Sequence, residues 1–264
     1  MPKFAVNLTM LYTDQPFLER FESAARAGFR AVEYLFPYQE DTDGIARALE
    51  RLKLEQALFN LPAGNWAAGE RGIALDPARR EEFRRGVTQA VELARRYRCT
   101  RLNCLVGKKL DSQSETAQWA SLVDNLRYAA QQLDRHGITL LVEPINTYDM
   151  PGFFLSTSSR TVHLLDEVGA SNVRLQYDVY HMQRMEGNLV ATMRQLRERV
   201  GHVQIADAPD RHEPGTGEIN YPYVLRQLDG MGYAGFVGLE YRPSGPTDAS
   251  FRWIETMGFE RAPK

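Results

Sequence analysis

Four residues of this chain have the types and spacing to do chemistry together: Glu143 in "TLLVEPIN", Asp178 in "VRLQYD", Gln204 in "GHVQIAD" and Glu240 in "GFVGLEY". Each closes or nearly closes a short apolar run, and such a run reads as a buried strand. A carboxylate on a buried strand is unfavourable unless it is paired or bound to a metal. The intervals between them are 35, 26 and 36 residues, each compatible with one strand–helix repeat. Four successive strands could therefore bring the four side chains to one mouth. Three carboxylates and one amide oxygen are hard ligands, which favours Mg²⁺ or Mn²⁺ over Zn²⁺. Without a cation, the converging carboxylates would repel and raise one another's pKa.

The elements that must position these groups are legible along the whole chain. Strands are expected at 4–10, 29–35, 54–60, 100–106, 138–144, 173–178, 201–207 and 235–241. Amphipathic segments lie between them. The clearest follows Asp76-Pro77, a cap and first-turn pair, with Phe83, Val87, Ala90, Val91 and Ala94 at helical spacing. The next carries Leu122, Leu126, Ala129 and Leu133, with Gly137 placed to close it. Further helices are expected around 15–27, 42–52, 158–168, 188–199, 219–229 and 247–257. Eight strands alternating with eight helices imply an α/β fold, a (β/α)₈ barrel of the TIM type, as one domain over residues 1–264. A doubly wound open sheet lacks support, since no strand leads into a G-x-G-x-x-G turn. In a barrel, catalytic groups gather at the C-terminal strand ends.

Composition narrows the partners. The chain is 43% hydrophobic and 25% charged with a formal net charge of -2, which gives no reason to expect nucleic acid or an anionic membrane as partner. Cys99 and Cys104 make no disulfide framework and read as reduced, buried thiols. The start shows no signal-peptide pattern, and no run approaches the ~18 apolar residues of a membrane span. A cytoplasmic protein is the expectation.

Longer stretches carry a specific likeness. "NLPAGNWAAGERGIA" (60–74), "NCLVGK" (103–108), "EPIN" (143–146), "YDVYHMQRMEG" (177–187), "HVQIADAPDRHEPGTGEINY" (202–221) and "GLEY" (238–241) resemble the hydroxypyruvate isomerase family, within the xylose-isomerase-like barrels. The resemblance runs over nearly the whole chain. It implies that Glu143 and Glu240 act as the acid/base pair. With Asp178 and Gln204 they would also hold a divalent metal, Mg²⁺ or Mn²⁺. The reaction implied is the interconversion of hydroxypyruvate and 2-hydroxy-3-oxopropanoate (tartronate semialdehyde), and relatives imply a homo-oligomer.

A small anionic hydroxy-keto acid needs a cation to offset its charge. Candidates are Arg71 in "GERG", Lys108 in "VGKK", His181 in "DVYHM" and Arg211 in "PDRHEP"; related isomerases and epimerases place a substrate-binding histidine at the His181 position. Trp66 could wall the pocket, and the run 63–72 could close over it as a lid. Asn7, Asn60 and Asn103 could line the mouth or serve as buried, bonded amides. His202 should point inward lower in the barrel in a structural role, and His136 and His163 invite no functional reading. The nearest rivals are a 2-oxotetronate isomerase or a ketose 3-epimerase using the same site. A zinc-dependent endonuclease would need more histidine at the strand ends and a basic face. A non-catalytic barrel that binds a small acid is the remaining alternative.

Overall fold

A computed structural model describes residues 1–262. Its centre is a closed parallel barrel in the order β1-β2-β3-β4-β5-β6-β7-β8. The strands are β1 Lys3–Asn7, β2 Ala31–Glu33, β3 Glu55–Asn60, β4 Arg101–Cys104, β5 Thr139–Val142, β6 Val173–Asp178, β7 Val200–Ile205 and β8 Phe236–Leu239. All eight fall within or against the expected segments. Several are shorter because the chain turns away at the mouth. After β1, for example, the Met10 and Leu11 N–H groups both bond back to the Asn7 carbonyl at 3.1 and 2.9 Å.

The helices are α1 Phe17–Arg26, α2 Thr42–Leu52, α3 Arg80–Tyr97, α4 Glu115–Asp134, α5 Ser158–Val168, α6 Val179–Met185, α7 Leu189–Gln195, α8 Tyr221–Gly230, α9 Thr247–Ser250 and α10 Arg252–Thr256. The stripe Phe83, Val87, Ala90, Val91 and Ala94 is buried on α3, where each large side chain contributes roughly 1.5–3 kcal/mol by leaving water. Asp76 caps a separate 3-10 turn, Pro77–Arg79, by accepting from the Ala78 N–H, so α3 proper starts at Arg80. Gly137 follows α4 at φ +65°, in the left-handed region where glycine avoids a Cβ penalty. The helix expected over 188–199 stops at Gln195, because the Arg199 and Val200 N–H groups both turn back to the Leu196 carbonyl. The helix expected over 247–257 is divided at buried Phe251.

Strand register places the polar residues. β6 and β7 pair Asp178 with Gln204 and Gln176 with His202, while β7 and β8 pair Gln204 with Gly238. β1 and β2 pair Asn7 with Glu33. Side chains two apart on a strand share a face, so a layer of amides, histidine and glutamate lies in the barrel beneath the strand ends. Among the described residues no helix is long and apolar enough to cross a membrane.

Candidate active site

The first ligand-capable group leaves the sheet where β5 ends. Glu143 follows Val142 directly, and Pro144 terminates the ladder. Asn103 on β4 donates through Nδ2 to Glu143 Oε2 at 3.1 Å. The asparagine therefore holds the carboxylate from the adjacent strand.

Asp178 divides its two oxygens between fold and site. Oδ1 accepts the Tyr180 and His181 N–H groups at 2.8 and 3.3 Å and so caps α6. Oδ2 is buried and, among the described residues, has no hydrogen-bond partner. An unmet carboxylate oxygen in a buried site is unfavourable unless a cation or substrate meets it.

His181 sits in the first turn of α6, and its tautomer follows from a neighbour. Asn146 Oδ1 accepts the Tyr148 and Asp149 N–H groups at 3.1 and 2.8 Å, which turns its Nδ2 toward His181 Nδ1 at 2.7 Å. A ring that accepts at Nδ1 carries its proton on Nε2. That nitrogen lies 3.8 Å from Glu143 Oε1 and 3.6 Å from Asp178 Oδ2. Burial, then Arg211 and Arg184, holds the His181 pKa well below the ordinary value, so the neutral ring presents a donor.

Glu240 follows β8, and Arg211 faces it. Arg211 Nη2 is 3.6 Å from Glu240 Oε1, 3.7 Å from Asp178 Oδ2 and 3.4 Å from His181 Nε2. Its loop is fastened by Asp207, which accepts the N–H groups of Ala208, Gly215 and Ile219 at 2.8–3.1 Å. Arg211 itself takes φ +60°, an uncommon conformation for a residue with a Cβ.

The charges perturb one another strongly. Burial, then Glu240 and Asp178, raises the Glu143 pKa well above the usual carboxylate range. Glu240 is pushed up to about 8, first by burial and then by Asp178 and Glu33, against the pull of Arg211. Burial raises Asp178 too, with Arg211 and the two capping N–H groups opposing it. Burial works against the Arg211 charge, but the surrounding Glu240, Asp178 and Glu143 outweigh it and raise its pKa.

Glu143, Asp178 and His181 offer atoms that all lie within 4.8 Å of one another, a group able to hold a metal ion. With the free Asp178 oxygen and the oxygen-rich chemistry of Glu143, Asp178 and Glu240, the residues present fit a divalent cation. Gln204 borders the same space; its Oε1 accepts from Gln176 Nε2 at 2.6 Å.

Glu143, His181, Gln204, Arg211 and Glu240 line a cavity of about 540 Å³ at the C-terminal mouth. Trp66 and Arg71 form part of its wall, with the Arg71 guanidinium 3.9 Å from the Trp66 ring centroid. Arg71 Nη1 also donates to the Trp66 and Glu70 carbonyls at 3.1 and 2.7 Å. The loop around them presses on the barrel at Gly72, where a Cβ would fall 2.0 Å from the Leu105 carbonyl oxygen. Lys108 is not brought in: it lies outside the cavity lining and bridges to Phe153. Asn7 and Asn60 line the cavity.

Sequence reasoning missed Glu33, Arg242, Asn146 and Tyr180, all in or against this cavity. Asn146 stood inside the "EPIN" stretch, and Arg242 follows "GLEY" directly; both motifs carried a signal. Glu33 gave none, because its partners lie across the barrel.

The chain matches the family described as "Xylose isomerase-like TIM barrel" over residues 21–257. It is 51% identical over 255 residues to the hydroxypyruvate isomerase of Escherichia coli (strain K12), covering 97% of this chain and 99% of that one. It is 42% identical to the 2-oxo-tetronate isomerase of Cupriavidus necator, covering 97% and 98% of the two chains. A crystal structure described as an AP endonuclease, family 2, from Brucella melitensis superposes with a TM-score of 0.95 at 46% identity, covering 97% of this chain and 99% of that one.

Proposed function

We propose that this chain, which belongs to the xylose isomerase-like TIM barrel family, isomerises hydroxypyruvate and 2-hydroxy-3-oxopropanoate through an enediolate. One observation carries this reading. Two buried glutamates at the strand ends, Glu143 and Glu240, face the same cavity, and burial pushes the pKa of both upward. A carboxyl group whose pKa is raised toward the working pH can take and return a proton within one turnover. The Escherichia coli relative at 51% identity supports the substrate.

Glu143, Asp178, Gln204 and Glu240 would hold a divalent cation, Mg²⁺ or Mn²⁺. Bound there, it would act as a Lewis acid toward the carbonyl and hydroxyl oxygens of the substrate. One glutamate removes a proton from C3. The C–H electron pair enters the C2–C3 bond, and the C2 carbonyl oxygen takes the charge. The C3 hydroxyl then passes its proton to the C2 oxygen, C3 becomes the aldehyde carbon, and the C2–C3 electron pair takes a proton at C2 from the second glutamate. His181 donates from Nε2–H to the oxygen that gains charge, a role its Nδ1 contact with Asn146 supports. Arg211 and Arg71 offset the substrate carboxylate, a role suited to the planar guanidinium. On this reading the protein acts on a small anionic hydroxy-keto acid, in the cytoplasm, as a homo-oligomer.

A second substrate has a specific observation behind it. A cavity of about 540 Å³ leaves room for a four-carbon acid, and the Cupriavidus necator relative supports 2-oxotetronate. A nuclease reading has less behind it: the net charge is -2, and the metal-capable cluster found among the described residues has a single histidine. The test is incubation of Mn²⁺-loaded protein with hydroxypyruvate, 2-oxotetronate or a ketohexose in deuterated water. Hydroxypyruvate should give the aldehyde product with deuterium at C2. Faster turnover of 2-oxotetronate would move the substrate assignment, and no turnover of any of the three would overturn the isomerase.

A further inference from the structure

Beneath the mouth lies a carboxylate that the proton-transfer chemistry does not use. Glu33 ends β2, is fully buried, and reaches across the barrel interior. Its Oε1 accepts from Gln204 Nε2 at 2.7 Å and from Asn7 Nδ2 at 3.1 Å. Its Oε2 lies 2.7 Å from His202 Nε2. Gly238 on β8 makes the room: a Cβ there would fall 2.3–2.5 Å from the Glu33 carboxyl atoms.

The Gln204 amide cannot turn over in this setting. Reversed, its carbonyl oxygen would stand at 2.7 Å from a carboxylate, acceptor against acceptor, and its NH₂ would meet the Gln176 NH₂. Glu33 can only accept when ionised, so it dictates that the Gln204 NH₂ faces inward. The Gln204 oxygen must then face the other way. There Gln176 Nε2 takes one lone pair at 2.6 Å and leaves the second available. Its β6 partner in register is Asp178.

We infer that Glu33 is a positioning residue that fixes and polarises the Gln204 amide so that its oxygen is presented as a cation ligand beside Asp178. Groups that orient a ligand from behind in this way typically alter metal affinity 10–100-fold when removed. The inference rests on the reading that a divalent cation is held by Glu143, Asp178, Gln204 and Glu240. It goes beyond that reading by assigning a role to a residue in the barrel floor.

The measurement is the Mn²⁺ dissociation constant by isothermal titration calorimetry, with no turnover involved. It is made on the wild-type chain, Glu33→Gln, Gln204→Ala and the double variant. Glu33→Gln should weaken Mn²⁺ about 10–100-fold, and should change little further once Gln204→Ala is present. Gly238→Ala, which keeps every charge but crowds the Glu33 carboxylate, should weaken Mn²⁺ in the same direction and serves if Glu33→Gln does not fold. Unchanged Mn²⁺ affinity in the folded Glu33→Gln and Gly238→Ala proteins, or equal losses with and without Gln204, would overturn the positioning role. Wild-type protein that binds no Mn²⁺, or Gln204→Ala that binds as well as wild type, would instead overturn the ligand set on which it rests.

Discussion

The two ends of the barrel treat charge in opposite ways. At the N-terminal end a cavity of about 360 Å³ is lined by Arg101, Arg174 and Arg197. Each has a partner: Arg101 Nε donates to the Gly201 carbonyl at 3.1 Å, Arg174 to the Glu198 carbonyl, and Arg197 Nε to Glu198 Oε1 at 3.1 Å. The Arg197–Glu198 pair is 62% and 82% exposed, so solvent screens it and it contributes little. At the mouth, Glu143, Asp178 and Glu240 are buried together, and Asp178 Oδ2 has no hydrogen-bond partner among the described residues. A cavity can occur at either end; like charges gathered out of water are found at the mouth. The second feature singles out the candidate site, because buried like charges with shifted pKa values concentrate at functional sites.

The sharpest way to break this contrast is to neutralise one charge at each end. Glu143→Gln or Glu240→Gln should lower kcat about 10²–10⁴-fold while circular dichroism shows the fold retained. Arg174→Ala should leave kcat/KM within about twofold. A large loss in the arginine variant, or near-normal turnover in both glutamine variants, would erase the distinction between the ends. The next effect belongs to the cation at the mouth. Arg211→Ala should raise KM for the anionic substrate about 10–100-fold, the scale of losing a charge-assisted hydrogen bond. Unchanged KM would remove Arg211 from substrate binding.

A smaller effect appears in the dependence of metal-free stability on pH. Glu143, Asp178 and Glu240 have folded-state pKa values raised above their unfolded ones. The folded state therefore binds more protons. Their stabilising contribution is fully present below the unfolded carboxyl range near 4.5 and is lost as pH rises through about 8 for Glu240. The melting temperature of metal-free protein should fall by a few degrees between pH 5 and pH 8, and added Mn²⁺ should reverse that fall. A rise over the same interval would contradict the buried-acid picture. The smallest effect tests burial away from both ends. Cys99 and Cys104 are buried and unbridged, and desolvation pushes both thiols up to about 12. Native protein should label with a thiol reagent far more slowly than protein in denaturant, since the reactive thiolate is scarce and covered; equal rates would refute this.

The barrel was legible in the sequence because each strand is an apolar run and each helix an apolar stripe, signals that lie within a dozen residues. Glu143, Asp178 and Glu240 stood out for the same local reason, as acids closing such runs. What stayed hidden depends on distance in the chain. β2 spans only three residues, and Glu33 meets His202 and Gln204 at separations of 169 and 171 residues, which no local period encodes. α6 was hidden differently. Its seven residues, Val179–Met185, are too few for an apolar period, and the helix is started by Asp178 acting as its cap. Lys108 shows the reverse case: a cation in a matching motif that lies outside the cavity lining and pairs with Phe153.

Asp178 has a consequence for how the enzyme comes into being. One carboxylate begins a helix with Oδ1 and serves the site with Oδ2. The histidine that accompanies it rides on the helix so begun. A chain in which α6 has not formed would have Asp178 loose and His181 elsewhere. The placement of Asp178 beside His181 is therefore set by the same event that completes this part of the barrel.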